Sequence, residues 1–167
     1  MKHLLLALLL ANVLQVSAQT KKTVYKKKVA VSTAPDSATI YYNLGWDNYK
    51  LDSMGPARYY WELASYTPGK SASKFAALHR LGLMQQNGEG MDTNLTAAMD
   101  FYKRASGVPG KLGNPDAIKA IGGFYENGFG VDQNYAKALE WYLKAKQAGN
   151  TSVDEDITRM RDRLRKN

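Results

Sequence analysis

The stretch that decides the fold is AIKAIGGFYENGFGVDQNYAKALEWYLKAKQAGN, residues 117–150. Its centre, NGFGVDQN (127–134), has a twin forty residues earlier, NGEGMDTN (87–94). Both copies read Asn-Gly-x-Gly-x-Asp-x-Asn. The apolar residues that follow keep the same offset. Leu95, Ala98, Met99 and Tyr102 fall at i, i+3, i+4 and i+7, as do Tyr135, Ala138, Leu139 and Tyr142. That spacing puts each set on one face of a helix, and the shared offset marks an internal repeat.

A G-x-G between elements can cradle phosphate, carry a catalytic turn or supply hinge geometry. A phosphate loop needs a third glycine or a G-K-[ST] ending, entered from a strand; both copies here lack the third glycine and follow a helix. The hinge reading accounts for each residue. Gly88 and Gly128 end a helix where a left-handed residue is wanted, and Gly90 and Gly130 permit a second bend. Met91 or Val131 plugs the loop onto the core. Asp92 or Asp132, with Asn94 or Asn134, supplies the turn and the cap of the next helix. A second glycine-lysine segment, ASYTPGKS (64–71), follows the helical stretch ARYYWELA, so its Pro68 and Gly69 read as the end of a unit.

A tetratricopeptide-type ruler finds three first helices: Tyr41-x2-Leu44-Gly45-x2-Asn48, Leu78-x2-Leu81-Gly82-x2-Gln85 and Ile118-x2-Ile121-Gly122-x2-Tyr125. The second helices carry Ala57 with Trp61, Ala98 with Tyr102, and Ala138 with Tyr142. From the glycine to that aromatic the first unit counts 16 residues and the others 20, so four extra residues surround each G-x-G. A glycine inside a helix costs about 1 kcal/mol against alanine. Gly45, Gly82 and Gly122 are therefore expected to have a neighbouring helix pressed against them.

With L-G in helix A, a glycine loop, and AKALEWYLKA (136–145) in helix B, residues 38–150 resemble Sel1-like repeats, relatives of the tetratricopeptide repeat. The third unit is the fullest match. The second carries Gln85 where an aromatic is expected, and the first lacks the glycine loop. The resemblance implies an all-α chain: a right-handed α-α superhelix (solenoid) of three helix-turn-helix repeats at about 37–69, 72–106 and 115–149. Residues 151–167 depart from the pattern. Ser152 and Glu155 form an S-x-x-E capping box, Val153, Ile157, Met160 and Leu164 share a stripe, and most other positions are charged, as a terminal capping helix requires.

The N-terminus reads differently. Met1, Lys2 and His3 precede LLLALLLANVL, and a small-x-small site lies at Val16-Ser17-Ala18. This describes a signal peptide over residues 1–18, cleaved before Gln19, and places the chain in a bacterial periplasm or outside the cell. The apolar run is shorter than the roughly 20 residues of a membrane span, and with no cysteine in the chain a lipoprotein anchor is excluded. Residues 19–36, with five lysines and one aspartate, read as a flexible basic arm able to meet an anionic surface. The formal net charge of +8 lies mostly in the signal segment and this arm, and nucleic-acid binding, which needs a basic face on the domain, is not expected.

Catalytic equipment is sparse. Without cysteine there is no thiolate site and no thiol nucleophile. Apart from His3 the chain has only His79, expected at the surface of helix A, and no G-x-S-x-G elbow accompanies it. Asp154, Glu155 and Asp156 sit where a helix start favours acids. No cofactor, metal or catalytic residue is therefore assigned. Some exported relatives are described as penicillin-binding or weak β-lactamases, but those carry a cysteine pair in each repeat. A cell-wall or β-lactam-directed hydrolase, dependent on His79 or Asp154, is the alternative to an interaction module.

The resemblance implies a concave groove lined by helix A that holds a protein or peptide. Its positions are Tyr42, Trp46 and Tyr49; His79, Leu83 and Gln86; and Lys119, Gly123 and Glu126. The first triplet is aromatic, the residue type of binding hot spots. Two readings stay open for it: groove surface, or residues that pack against the arm or form an N-terminal hydrophobic edge; self-assembly of copies as a homo-oligomer through this uncapped aromatic face is a third role for the chain. The insertion SGVPGKLGNP (106–115) is expected to form one lip of the groove.

Overall fold

The computed structural model describes residues 37–107 and 113–166, and every regular element among them is helical. The expected signal segment, the basic arm and residues 108–112 of the insertion lie outside the described residues. The helices are α1 (Ser37–Lys50), α2 (Met54–Tyr66), α3 (Ala72–Asn87), α4 (Leu95–Ser106), α5 (Pro115–Asn127), α6 (Tyr135–Gln147) and α7 (Asp154–Lys166). A single 3-10 turn, Thr151–Val153, leads into α7. The pairs α1/α2, α3/α4 and α5/α6 are the three repeats.

Each pair is held by the same contact. A β-carbon built on Gly45 would lie 2.3 Å from the Trp61 ring, one on Gly82 2.5 Å from Tyr102, and one on Gly122 2.7 Å from Tyr142. The glycine of helix A is thus a flat bed for the aromatic of helix B, which is why the glycine is tolerated in a helix at all.

The repeats join through a second recurring set. Ala77, Leu81 and Met84 of α3 pack on Ala57, Trp61 and Ala64 of α2. Ala117, Ile121 and Phe124 of α5 pack on Ala98, Met99, Tyr102 and Ala105 of α4. Val153, Ile157 and Met160, with the same i, i+4, i+7 spacing, close the array over Ala138, Tyr142 and Ala145 of α6. The capping segment therefore uses the contact face of a helix A.

The two G-x-G loops superpose in their bonding. Gly88 (φ 73°) and Gly128 (φ 71°) are left-handed helix ends whose N–H groups donate to Met84 O and Phe124 O. Asn94 Oδ1 and Asn134 Oδ1 then accept from the N–H groups of Ala97 and Lys137, each at 2.9 Å, as N-caps. Gly90 and Gly130 do more than bend. A β-carbon on Gly90 would lie 2.6 Å from Met54 Cβ, and one on Gly130 3.4 Å from the Leu95–Thr96 backbone. Each loop presses its second glycine onto the start of the preceding repeat's helix B. Met91 and Val131 pack onto the cores as the loop reading requires.

Two sequence expectations at the cap need correction. The Ser152–Glu155 capping box is not what starts the segment. Asn150 Oδ1 accepts from Ser152 N at 3.0 Å and from Ser152 Oγ at 2.8 Å, because a 3-10 turn precedes α7. Leu164 leaves the buried stripe. α6 begins at Tyr135, over whose ring Arg163 sits, so the supporting helix ends before Leu164 is reached.

Candidate functional site

Helix A presents its remaining face away from helix B. Between α3 and α5 this face opens into a cleft of about 290 Å³. Leu83, Gln86, Lys119 and Gly123 line it, together with Tyr102, Phe124, Phe129 and Tyr142. Four predicted groove positions from two repeats therefore converge on one depression.

The floor is built by a repeated hydrogen bond. Tyr102 Oη donates to Gln86 Oε1, and Tyr142 Oη donates to Glu126 Oε2, both at 2.6 Å and both across sixteen residues. Burial pushes both phenols above their ordinary pKa, Tyr142 with the added effect of the Glu126 carboxylate, so both remain donors. The first repeat lacks the four loop residues, and there the equivalent position, Tyr49, meets Trp61 ring to ring at 5.6 Å. Trp61 Nε1 donates instead to the Tyr42 carbonyl at 3.2 Å.

The third triplet is only partly open. Arg159 of α7 forks onto Glu126, Nε to Oε1 at 2.7 Å and Nη2 to Oε2 at 2.9 Å, and Nη2 also reaches Asp156 Oδ1 at 2.6 Å. Arg159 thereby holds the Glu126 carboxyl below its ordinary pKa against the opposing effect of burial. Lys119 Nζ donates to Ser152 O and Ser152 Oγ, each at 3.1 Å, and stands 3.2 Å from Asp156 Oδ2. The sequence offers the charges of Lys119 and Glu126 to a partner; the structure engages both with the cap. Gly123 is the position of that triplet left bare.

His79 is half-buried rather than a surface residue, because its ring lies 5.8 Å from that of Tyr102 in the same repeat. Burial lowers its pKa to about 4, and Asp116 works against that shift. Tyr42, Trp46 and Tyr49 are brought together with each other and with Trp61, not with the α3–α5 cleft. Trp46 meets Tyr49 at 5.5 Å and Trp61 at 5.9 Å, and the Arg80 guanidinium lies 4.1 Å from the Trp46 ring centre.

The middle of the insertion, where the expected lip falls, lies outside the described residues. Ser106 and Gly107, at its start, line a different cavity, of about 390 Å³, with Ile118, Trp141 and Lys144. They leave the end of helix B, away from the helix-A face. Sequence reasoning missed Phe129, which lines the cleft at 40% exposure, 5.9 Å from Phe124. Its signal was an apolar residue where the other loop has Glu89. Among the described residues no group of three or more His, Cys, Asp or Glu side chains is placed to hold a metal. No helix among them is long and apolar enough to cross a membrane.

Residues 75–106 and 115–150 match the Sel1 repeat family. The chain carries Sel1 repeats. The matched stretches coincide with the α3/α4 and α5/α6 pairs, and the loop-less first pair lies outside them. The fold is that of a Sel1 repeat protein from Oxalobacter formigenes, with TM-score 0.62 at 22% identity over 80% of this chain and 96% of that one. It is also shared with a protective antigen of uropathogenic Escherichia coli that displays an SLR fold, with TM-score 0.58 at 22% identity over 77% of this chain. That alignment spans 26% of the antigen, about a quarter of its length. No curated protein matches the chain. As Sel1 repeats, the two glycine loops are the hinge of an α-α solenoid, and the Tyr-to-helix-A hydrogen bond beside each loop is a feature of the repeat unit in this chain.

Proposed function

We propose that this chain is an exported, non-enzymatic adaptor that holds a protein or peptide partner in the helix-A cleft between its two Sel1 repeats. Sel1 repeats are as a family protein–protein interaction modules. The observation that carries the reading is the convergence of Leu83, Gln86, Lys119 and Gly123 on one cleft with Phe124 and Phe129. A mixed lining of apolar surface and the Gln86 amide suits an extended peptide, whose side chains seek the first and whose backbone seeks the second. The chemistry at His79 supports a binding role. A half-buried imidazole with a pKa near 4 is a weak base, poorly matched to proton transfer near neutral pH.

The test is a paired capture from bacterial envelope extract, using the chain from Gln19 and its Leu83→Glu, Gly123→Arg double variant, both checked for intact helicity. The expected result is a partner bound by the first and lost by the second, confirmed by titration of the purified partner. Identical capture by both removes the cleft as the binding surface.

A further inference from the structure

The repeat-joining face occurs four times among the described residues. On α3, on α5 and on the 3-10 turn with α7 it is Ala77-Leu81-Met84, Ala117-Ile121-Phe124 and Val153-Ile157-Met160, and all nine side chains are buried. On α1 the same positions hold Ile40, Leu44 and Asp47. Ile40 is 52% exposed, Leu44 37%, and Leu51 one turn further on 76%. Residues 40, 44 and 47 of α1, with Leu51 in the turn just past its end, alternate spacings of four and three, the spacing of a seam between two helices packed side by side. α1 is a helix A with no helix B packed before it among the described residues.

We infer that this face of α1 is a two-fold interface between two copies of the chain. Two observations select a second copy. Asp47 stands where the other repeats bury Met84 or Phe124, and it lies 3.9 Å from Lys50, one turn along the same helix. An isologous contact matches a patch with itself. Two antiparallel α1 helices whose axis of symmetry passes near Asn48 set Leu44 against the partner's Leu51 and Asp47 against the partner's Lys50. The acid and the base then satisfy each other twice. The other end of the array cannot take part, because α7 turns Asp154, Glu155, Thr158 and Arg161 outward. One open end and one charged end give a closed dimer instead of a filament.

This inference is independent of the cleft. It is tested by sedimentation equilibrium over a dilution series, with the full chain and the chain from Gln19. The expected result is a reversible monomer–dimer equilibrium in both. Leu44→Lys, at an exposed position that leaves the helical content unchanged, is expected to be monomeric at every concentration. Asp47→Lys and Lys50→Asp each raise the dimer dissociation constant about tenfold or more, and an equimolar mixture of the two returns to wild-type association. A wild-type chain that stays monomeric throughout overturns the inference and gives α1 to its own residues 19–36 or to another protein. So does a dimer seen only in the full chain, a dimer indifferent to Leu44→Lys, or an open-ended ladder of species.

Discussion

Gly122 and Gly123 are neighbours in α5, and the structure assigns them opposite responses to the same substitution. A β-carbon on Gly122 would lie 2.7 Å from Tyr142 Cδ1 and Cε1 and 3.1 Å from Cζ. Tyr142 is buried and tethered through its hydroxyl to Glu126, so its ring has little room to move away. A β-carbon on Gly123 meets only Tyr142 Oη, at an unstrained 3.7 Å. Replacing either glycine with alanine gains about 1 kcal/mol of helix propensity. Forcing a methyl into a packed core costs about 1–3 kcal/mol, and only Gly122→Ala incurs it. Because the propensity gain is common to both, the difference between the variants isolates the packing cost. Gly123→Ala should be more stable than wild type by up to about 1 kcal/mol. Gly122→Ala should lie below Gly123→Ala by about 1–3 kcal/mol. At about 3 °C per kcal/mol for a domain of this size, the two melting temperatures should separate by about 3–9 °C. Thermal unfolding followed by far-ultraviolet circular dichroism reads that gap. Coincident melting of the two variants, or a Gly122→Ala variant that melts above Gly123→Ala, refutes the bed-for-a-ring account of the helix-A glycine.

The second glycines of the loops separate in the same way. Both have left-handed φ, 69° at Gly90 and 65° at Gly130, which costs an alanine about 1–2 kcal/mol. Gly90→Ala additionally drives a methyl into Met54 Cβ, so urea denaturation should place it below Gly130→Ala by about 1 kcal/mol or more. At His79 the folded pKa is lowered by burial from its ordinary 6.5 to about 4. Between those values the unfolded chain takes up a proton that the folded chain refuses, so stability is present above pH 6.5 and falls as the pH drops toward 4. The loss amounts to no more than about 3 kcal/mol. Urea denaturation at neutral pH and near pH 4 should show it reduced in His79→Gln, and an unchanged loss assigns the acid sensitivity to other groups.

The repeats were legible because the residues that define them act locally. A glycine that must be left-handed, an asparagine that must cap and an aromatic that must lie on a glycine are each fixed by contacts inside one helix pair. Their spacing therefore survives in the sequence. The cleft was legible to the extent that it continues this pattern: Leu83, Gln86, Lys119 and Gly123 are ruler positions. Phe129 was not, because it sits at the variable position of the loop and reaches the cleft only through the left-handed turn at Gly128. Glu126 was misread for a different reason. Its partner, Arg159, lies 33 residues away on the cap, outside any repeat frame. Contacts that join the array to its cap have no second copy from which to be read.

The cap resembles a helix A in its packing. Val153 of the 3-10 turn with Ile157 and Met160 of α7 forms the joining face of a helix A, and Asn150 caps that turn as Asn114 caps α5. One position breaks the equivalence. At the place of Gly82 and Gly122, α7 carries Thr158, which donates its hydroxyl to the Asp154 carbonyl at 2.9 Å. A side chain there leaves no flat bed for an aromatic ring, so no helix B can pack on α7 as Tyr142 packs on α5. α7 thus supplies half a repeat whose second contact is blocked. The same half-repeat binds Lys119 and Glu126, which makes the length of the open cleft a consequence of how the array is terminated. At the opposite end α1 keeps its glycine and its aromatic bed, with Gly45 under Trp61, while its joining face stays exposed. Among the described residues the two ends therefore differ: α7 lacks the glycine bed of a helix A, whereas α1 keeps that bed and exposes its joining face.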